Sequence, residues 1–143
     1  MKAMFDLNVL LDVLQWRTPW ARASGELCAR AVRGELDGVV APHAVTTLFY
    51  VIDKHADHAT ATKDIDWILR SFSLAPSDLA VFLRARALAM PDFEDAVVAA
   101  AAESARCDVV LTRNLPDFAG SPVPAVAPEE FLASESAPPQ PVS

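Results

Sequence analysis

The sequence predicts an α/β fold with a short, mostly parallel central sheet of four to five strands flanked by helices.

 Short apolar segments of strand length alternate with longer segments of helical periodicity, and no internal repeat is present. The 143 residues, of which 52% are hydrophobic and 22% charged, suffice for one buried core. We therefore expect a single domain over residues 1–133 and a disordered, Pro- and Ser-rich tail over residues 134–143.

The first half of the chain predicts two strands and four helices. Asn8 precedes apolar residues at helical spacing and is a candidate N-cap, whereas Thr18 and Pro19 have the pattern of a second helix start. Gly34 suits the end of that helix, and Pro42 suits the start of the third. The predicted elements are, in order, a strand at 2–5, helices at 9–16 and 18–33, a strand at 38–41, and helices at 42–55 and 59–72.

The second half predicts three strands and three helices. The clearest strand is Val109–Leu111, because it is short, apolar and rich in β-branched residues. Ser77 is a candidate cap for one helix, and Pro91 and Asp92 separate that helix from an Ala-rich one. The predicted elements are a strand at 73–75, helices at 78–90 and 93–106, strands at 109–111 and 123–126, and a helix at 128–132.

The composition excludes several classes of function. A net charge of −7 and a pI near 4.8 argue against binding of nucleic acid through a broad basic face, so any such contact must be local. Cys28 and Cys107 lack the spacing of a metal site and are expected to be reduced, packed thiols of a cytoplasmic protein. The longest apolar run, Ala96–Ala102, is far shorter than the roughly 20 residues that a bilayer requires, so no membrane role is expected.

Acid and amide side chains follow the predicted strands at the edge where parallel sheets form their sites. Asp6 and Asn114 come after the first and fourth strands, and Asp117 lies shortly beyond. Asp92 and Asp95 begin the helix that precedes the fourth strand. Because carboxylates repel one another, a cluster of them indicates a divalent cation. Taken singly, the same residues have an alternative interpretation as helix caps or turn formers.

Three segments carry a resemblance to a known family. They are Phe5–Asp12, Asp92–Ala96, and Val110–Asn114 followed by Asp117 and Phe118. In this order and spacing they resemble the motifs of the PIN domain family, and especially of the VapC-type toxins of bacterial toxin–antitoxin pairs. The resemblance extends from about Ala3 to Leu132. It implies a metal-dependent endoribonuclease, usually a homodimer, which a cognate antitoxin silences by occupying the active-site groove.

The resemblance also implies roles for individual residues. The motifs imply that Mg²⁺ or Mn²⁺ is bound by Asp6, Asp95 and Asp117. They also imply that Asn114 is a catalytic residue together with these three acids. These residue types suit phosphodiester hydrolysis by a metal-activated water, with Arg113 neutralising charge in the transition state. The residues expected to position the RNA substrate or a water are Asn8, Asp92, Thr47, Tyr50, Lys54, Thr112 and Arg113.

The chain departs from the family pattern on the predicted third helix. The family usually has a glutamate there, and by spacing Thr47 occupies its position. Thr46, Tyr50 and Lys54 lie at four-residue steps, so this helix is expected to present two hydroxyls and an amine, with Lys54 as a candidate phosphate contact. Loss of one anionic ligand is expected to weaken metal binding or to change the number of ions bound.

Several other residues have two interpretations. Asp12 lies one helical turn beyond Asn8, where it either faces the site or is a solvated helix acid. His43, His55 and His58 lack the spacing of a metal motif and are expected at the surface or at helix ends. The tryptophans and phenylalanines are expected in the core or a dimer interface rather than as base-stacking platforms. The candidate cations for RNA binding are Arg17, Arg22, Lys54, Lys63 and Arg113.

Two alternatives to an active nuclease remain. Thr47 in place of an acid suggests a module of the same fold that has lost activity and binds RNA or an antitoxin. An aspartate after the first strand also occurs in phosphotransfer proteins. However, Asp6 and Asn8 do not form the D-x-D signature of a phosphatase, and no lysine follows Lys63 as a receiver domain would require.

Overall fold

Five short parallel strands form one sheet at the centre of the computed structural model, which describes residues 1–136. The strands are β1 (Lys2–Phe5), β2 (Asp37–Val40), β3 (Ser73–Leu74), β4 (Val109–Leu111) and β5 (Ala125–Val126). β1 lies in the middle between β2 and β4, β3 and β5 form the edges, and every pairing is parallel. The predicted α/β class with a parallel sheet is confirmed.

Seven α-helices within residues 1–136 surround this sheet. They are α1 (Leu7–Leu14), α2 (Ala21–Val32), α3 (Pro42–His55), α4 (His58–Ser71), α5 (Leu79–Ala87), α6 (Phe93–Ser104) and α7 (Pro128–Ser136). α6 contacts β1 and β4, and its run Ala96–Ala102 is buried throughout, because small side chains let the helix approach the sheet closely. Cys28 and Cys107 are buried free thiols, as expected.

Among residues 1–136, no helix has the length and apolar character needed to cross a membrane.

Three helix starts differ from the prediction. The N-cap of α1 is Asp6 instead of Asn8, because the Asp6 carboxylate accepts the first backbone N–H of the helix. α5 is capped by Asp78 in place of Ser77 for the same reason, since a carboxylate at this position accepts a backbone N–H. α2 begins at Ala21, later than predicted, and has no side-chain cap.

The last helix is longer than the sequence predicts. α7 extends past Leu132, so residues 134–136, which were expected to belong to the tail, are helical. Arg30 on α2 pairs with Glu135, and this contact anchors the last turn of α7. Residues 137–143 of the expected tail lie outside the described residues.

Gly120 closes the turn that follows a short 3₁₀ helix, Leu115–Phe118, and its backbone requires glycine. Its φ is +89°, and a Cβ atom would lie 2.6 Å from the carbonyl oxygen of Ala89. We expect Gly120→Ala to lower the free energy of unfolding by about 2 kcal/mol, because backbone strain and a clash add together.

Gly34→Ala is the matched control for this prediction, to be compared by denaturant unfolding. Gly34 also has a positive φ, +76°, but nothing in the described chain lies within 4 Å of a Cβ atom built there. Only the strain of about 1 kcal/mol is therefore expected. Equal losses in the two variants would show that the Ala89 contact does not matter.

Candidate active site

Asp6 is held rigidly where β1 ends and α1 begins. Its side chain is only 5% exposed. One carboxylate oxygen, Oδ1, accepts the N–H of Leu7 at 2.8 Å, and the other, Oδ2, accepts the hydroxyl of Thr112 at 2.8 Å. Burial raises the pKa of Asp6, although these two hydrogen bonds oppose the rise. The carboxylate is therefore fixed in position at the carboxyl edge of the sheet.

The segment after β4 is linked to Asp6 through Thr112. The Thr112 hydroxyl also accepts the backbone N–H of Asn114 at 3.1 Å, and the Asn114 carbonyl accepts the N–H of Asp117 at 3.1 Å. Thr112 is fully buried, so its hydroxyl does not face a substrate as predicted. The Thr112 hydroxyl instead orients Asp6 and holds the backbone of the segment that carries Asn114 and Asp117.

The start of α6 brings further carboxylates to the same place. Asp92 caps the helix, and its Oδ1 accepts the N–H of Asp95 at 2.9 Å. Burial raises the pKa of Asp95 to about 7, with further contributions from the charges of Asp6, Asp92, Asp117 and Glu94. Asp6 and Asp92 are thus helix caps, as the alternative interpretation held. They nevertheless converge with Asp95, so the two interpretations do not exclude each other.

These residues line a cleft of about 180 Å³, which we call the acidic cleft. Its lining comprises Asp6, Leu7, Asn8, His43, Ala44, Asp92, Glu94, Asp95 and Val98. The structure therefore brings together the predicted Asp6, Asn8, Asp92 and Asp95, with Asp117 close enough to affect Asp95 electrostatically. Asp117 is exposed at the rim.

The polar stripe predicted on α3 lies outside the lining of the acidic cleft. The hydroxyl of Thr47 donates to the carbonyl of His43 at 3.1 Å, so it is bonded within its own helix. Tyr50 is 64% exposed, and the Lys54 ammonium lies 5.9 Å from the centre of its ring. The α3 side chains that do line the cleft are those of His43 and Ala44.

Arg113 does not face the acidic cleft as a free cation. Its Nε and Nη2 atoms donate to the two oxygens of Asp12 at 2.8 and 3.1 Å, and its guanidinium stacks on Trp20 at 4.0 Å. Asp12 is 0% exposed, so it is neither a site residue nor a solvated acid. The ion pair gives Arg113 a structural role, and its predicted role in neutralising substrate charge stays a prediction.

Sequence reasoning missed two residues of the acidic cleft, His43 and Glu94. His43 was placed at the surface or a helix end, and it is indeed the second residue of α3, but its ring faces the cleft. Its Nε2 lies 3.9 Å from Glu94 Oε1. The signal that identifies it is positional: His43 follows β2 closely, and β2 ends at the same edge of the sheet as β1.

The donor set of the acidic cleft fits a hard divalent cation. Carboxylates are the ligands that Mg²⁺ and Mn²⁺ prefer. Burial and, after it, mutual repulsion raise the pKa of Asp95, and a bound cation relieves the repulsion. Among residues 1–136, no three His, Cys, Asp or Glu side chains are close enough to form a ready-made metal site. Binding of an ion would therefore require the acids of the cleft to move closer together.

A larger cavity of about 490 Å³ lies elsewhere, at the ends of α1 and α3. Its lining includes Arg17, His55 and Asp64, and none of the residues predicted for catalysis. Size alone would favour this cavity or another of about 520 Å³ between α2 and α7, but convergent acids with a raised pKa are the better indicator of a reactive site. We therefore assign the candidate active site to the smaller acidic cleft.

The raised pKa of Asp95, caused by burial and by the neighbouring charges, predicts a pH dependence of stability without divalent ions. A pKa raised from 3.8 to about 7 means that folded Asp95 binds its proton more tightly than unfolded Asp95. Its favourable contribution is thus complete below about pH 4 and lost as the pH rises to about 7. The facing groups are Asp6, Asp92, Glu94 and Asp117, with His43 nearby.

We therefore expect wild-type protein to lose stability relative to Asp95→Asn between these pH values, in urea unfolding with a chelator present. Added Mn²⁺ should reverse the loss at neutral pH, because the cation stabilises the charged form. A constant stability difference between the two proteins over this range would contradict the assignment of Asp95 to the cluster.

The fold and the acidic cleft define the class of this protein: a parallel α/β domain with a site beyond the carboxyl ends of β1 and β4. The sequence model of the PIN domain matches residues 2–116, and the chain belongs to the PIN domain family. The family predicted from the motifs is confirmed. Membership of this family does not support the alternative of a phosphotransfer protein. A comparison with curated proteins gave no significant match.

Several solved structures are similar to this chain. DNA-bound VapBC from Salmonella typhimurium has a TM-score of 0.68 at 15% identity, covering 90% of this chain and 98% of that one. A toxin–antitoxin complex from Klebsiella pneumoniae has 0.66 at 22%, covering 88% and 97%. VapC20 from Mycobacterium tuberculosis, a toxin that cleaves the sarcin–ricin loop, has 0.67 at 10%, covering 85% and 95%. These similarities establish the fold.

Proposed function

We propose that this protein is an endoribonuclease that depends on Mg²⁺ or Mn²⁺ and acts as the toxin of a type II toxin–antitoxin pair. One observation carries the proposal: in a chain of the PIN domain family, Asp6, Asp92 and Asp95 converge in one cleft with Asp117 at its rim. Acids drawn from separate segments destabilise the fold through repulsion, so a cluster of them indicates a function.

The proposed reaction is hydrolysis of an RNA phosphodiester bond. Asp6, Asp95 and Asp117 would hold the divalent ion, which when bound supplies a nucleophilic water and neutralises phosphate charge. Thr112 orients Asp6 through its hydroxyl. Asn114 lies next to Thr112 in the segment that carries Asp117, where its amide would orient a water or a phosphate oxygen.

The proposed partners are RNA, a cognate antitoxin and a second copy of this chain. Support for an antitoxin comes from the similar structures described as VapBC or toxin–antitoxin complexes. A homodimer is supported by apolar side chains left exposed on α5 and α6, among them Leu79 at 73% and Leu83 at 60%. With a net charge of −7, RNA binding must use local contacts in a cytoplasmic setting.

The test of the proposed function is RNA cleavage by purified protein with Mn²⁺, with Mg²⁺, and with excess chelator. We expect cleavage with either ion and none with the chelator, restored when the ion is added back in excess. Cleavage that persists in excess chelator would exclude metal-dependent catalysis. Protein purified in parallel as Asp95→Asn controls for contaminating nucleases.

A binding module without activity is the second candidate, and it is favoured by Thr47 in place of the usual glutamate. Calorimetry distinguishes it from a nuclease. An inactive module would bind antitoxin or RNA tightly yet release no heat with Mn²⁺, whereas the nuclease must bind the ion.

A further inference from the structure

His43 occupies a place on α3 from which a side chain reaches the acidic cleft. It lies directly after β2, in the first turn of α3, and lines the cleft together with Asp6, Asp92 and Asp95. Its imidazole is close enough to Asp6 to influence that carboxylate electrostatically. Among the residues lining the cleft, the other α3 side chain is the methyl group of Ala44.

The two ring nitrogens of His43 have different surroundings. Nε2 lies 3.9 Å from Glu94 Oε1, beyond the distance of a hydrogen bond. Nδ1 is buried and has no hydrogen-bond partner within the described residues. Because Nδ1 is closed off from solvent, Nε2, which lies beside Glu94, is the nitrogen that a ligand in the acidic cleft can reach.

The rest of α3 cannot provide an anionic ligand to the cleft. Thr47 stands where the family usually has a glutamate, and its hydroxyl is bonded to the carbonyl of His43. Residues four apart lie on the same side of a helix, and helical side chains tilt toward the N-terminus. His43 and Thr47 therefore share one side of α3, with His43 nearer the cleft.

We propose that His43 supplies a nitrogen ligand to the divalent ion of the acidic cleft, in place of the missing α3 glutamate. This inference rests on the proposed function. Imidazole is a softer ligand than carboxylate and suits transition-metal ions better than Mg²⁺. The preference of this site for Mn²⁺ over Mg²⁺ is therefore greater than the preference of a site built from oxygen ligands alone.

The test is Mn²⁺ binding to the full chain, followed by electron paramagnetic resonance. Electron spin echo envelope modulation detects a ¹⁴N nucleus bound to Mn²⁺, and we expect this signal in wild-type protein. In His43→Gln the signal should disappear, and the Mn²⁺ dissociation constant should rise at least about tenfold. Removal of the nitrogen should change Mg²⁺ affinity less than Mn²⁺ affinity.

Two further variants make the result specific. His58→Gln is the matched control, because His58 is an exposed histidine 3.5 Å from Asp53, and both the nitrogen signal and the affinity should stay at wild-type values. The double variant His43→Gln/Thr47→Glu should recover Mn²⁺ affinity without the nitrogen signal, since a glutamate restores a ligand to the same side of α3. This recovery also shows that the His43 variant is folded.

Several outcomes would overturn the proposal. Bound Mn²⁺ without nitrogen modulation in the wild type, or wild-type Mn²⁺ affinity in His43→Gln, excludes a nitrogen ligand from His43. Weaker RNA binding with unchanged Mn²⁺ binding would instead make His43 a phosphate contact. If the nitrogen signal is absent but wild-type protein still binds Mn²⁺ and cleaves RNA, only this inference fails; if the wild type neither binds Mn²⁺ nor cleaves RNA, the proposed function fails as well.

Discussion

Asp95→Asn is expected to lower the rate of RNA cleavage by on the order of 10²–10³-fold while leaving the fold intact. Asp95 stands at the start of α6, where it faces Asp6 and Asp92 inside the acidic cleft. An asparagine has nearly the same shape but no charge, and affinity for hard cations follows the number of charged oxygens. The measurement is the rate of cleavage of a defined RNA at saturating Mn²⁺.

The stability of the same variant separates a catalytic effect from misfolding. Because burial and the neighbouring acids raise the pKa of Asp95 to about 7, the charged form destabilises the metal-free protein above that pH. We expect Asp95→Asn to be more stable than wild type at about pH 8 by on the order of 1 kcal/mol, allowing for solvent screening of a partly exposed group. An inactive variant that is more stable cannot owe its inactivity to unfolding.

Glu130→Gln is the matched control for Asp95→Asn. Glu130 is also an acid in the first turn of a helix, α7, but it is exposed and lies outside the lining of the acidic cleft. Its cleavage rate and stability should equal those of wild type. Wild-type cleavage by Asp95→Asn would remove Asp95 from the active site.

The sequence predicted the position of the acidic cleft because the rule behind it is topological. Parallel strands end at one edge of a sheet, so Asp6 after β1 and the Thr112–Asp117 segment after β4 had to approach each other. The alternation of strands and helices was sufficient for this step. The capping role of Asp6 was harder to assign, because Asp6 and Asn8 are both good caps and differ only in where the chain turns.

Other features depend on side-chain directions that periodicity does not determine. Asp12 was assigned two possible environments, and its burial against Arg113 became clear only once the α1 and β4 segments were placed together. His43 does not stand out in the sequence because the family motif marks the position of Thr47, one turn further along α3. The end of α7 depends on a contact between Glu135 and α2, which is remote in sequence.

The contact between Asp12 and Arg113 predicts the largest effect on stability. Arg113→Ala is expected to lower the free energy of unfolding by about 3 kcal/mol, because it leaves a buried carboxylate without its bidentate partner. The value lies at the low end of the range for broken buried pairs, since Arg17 remains 3.8 Å from Asp12. Loss of stacking on Trp20 adds to the effect. Urea unfolding measures the change.

The chain contains a closely matched control for this variant. Arg84 donates through Nε and Nη2 to both oxygens of Glu103 at 2.9 and 3.2 Å, which is nearly the geometry of the Arg113 pair, but both partners are about half exposed. Arg84→Ala should therefore lose much less stability than Arg113→Ala, because solvent screens an exposed ion pair. Equal losses in the two alanine variants would show that burial of Asp12 does not set the strength of its ion pair.

The double variant Asp12→Asn/Arg113→Ala tests the cause of the loss. If the uncompensated charge of Asp12 is responsible, removing that charge as well should recover more than half of the stability, because a neutral amide is less costly to bury than a carboxylate. Arg113 also lies between Thr112 and Asn114, so its release should loosen the segment that orients Asp6. Cleavage should then fall even where stability is recovered, since the ion pair fixes the segment that carries Asn114 and Asp117.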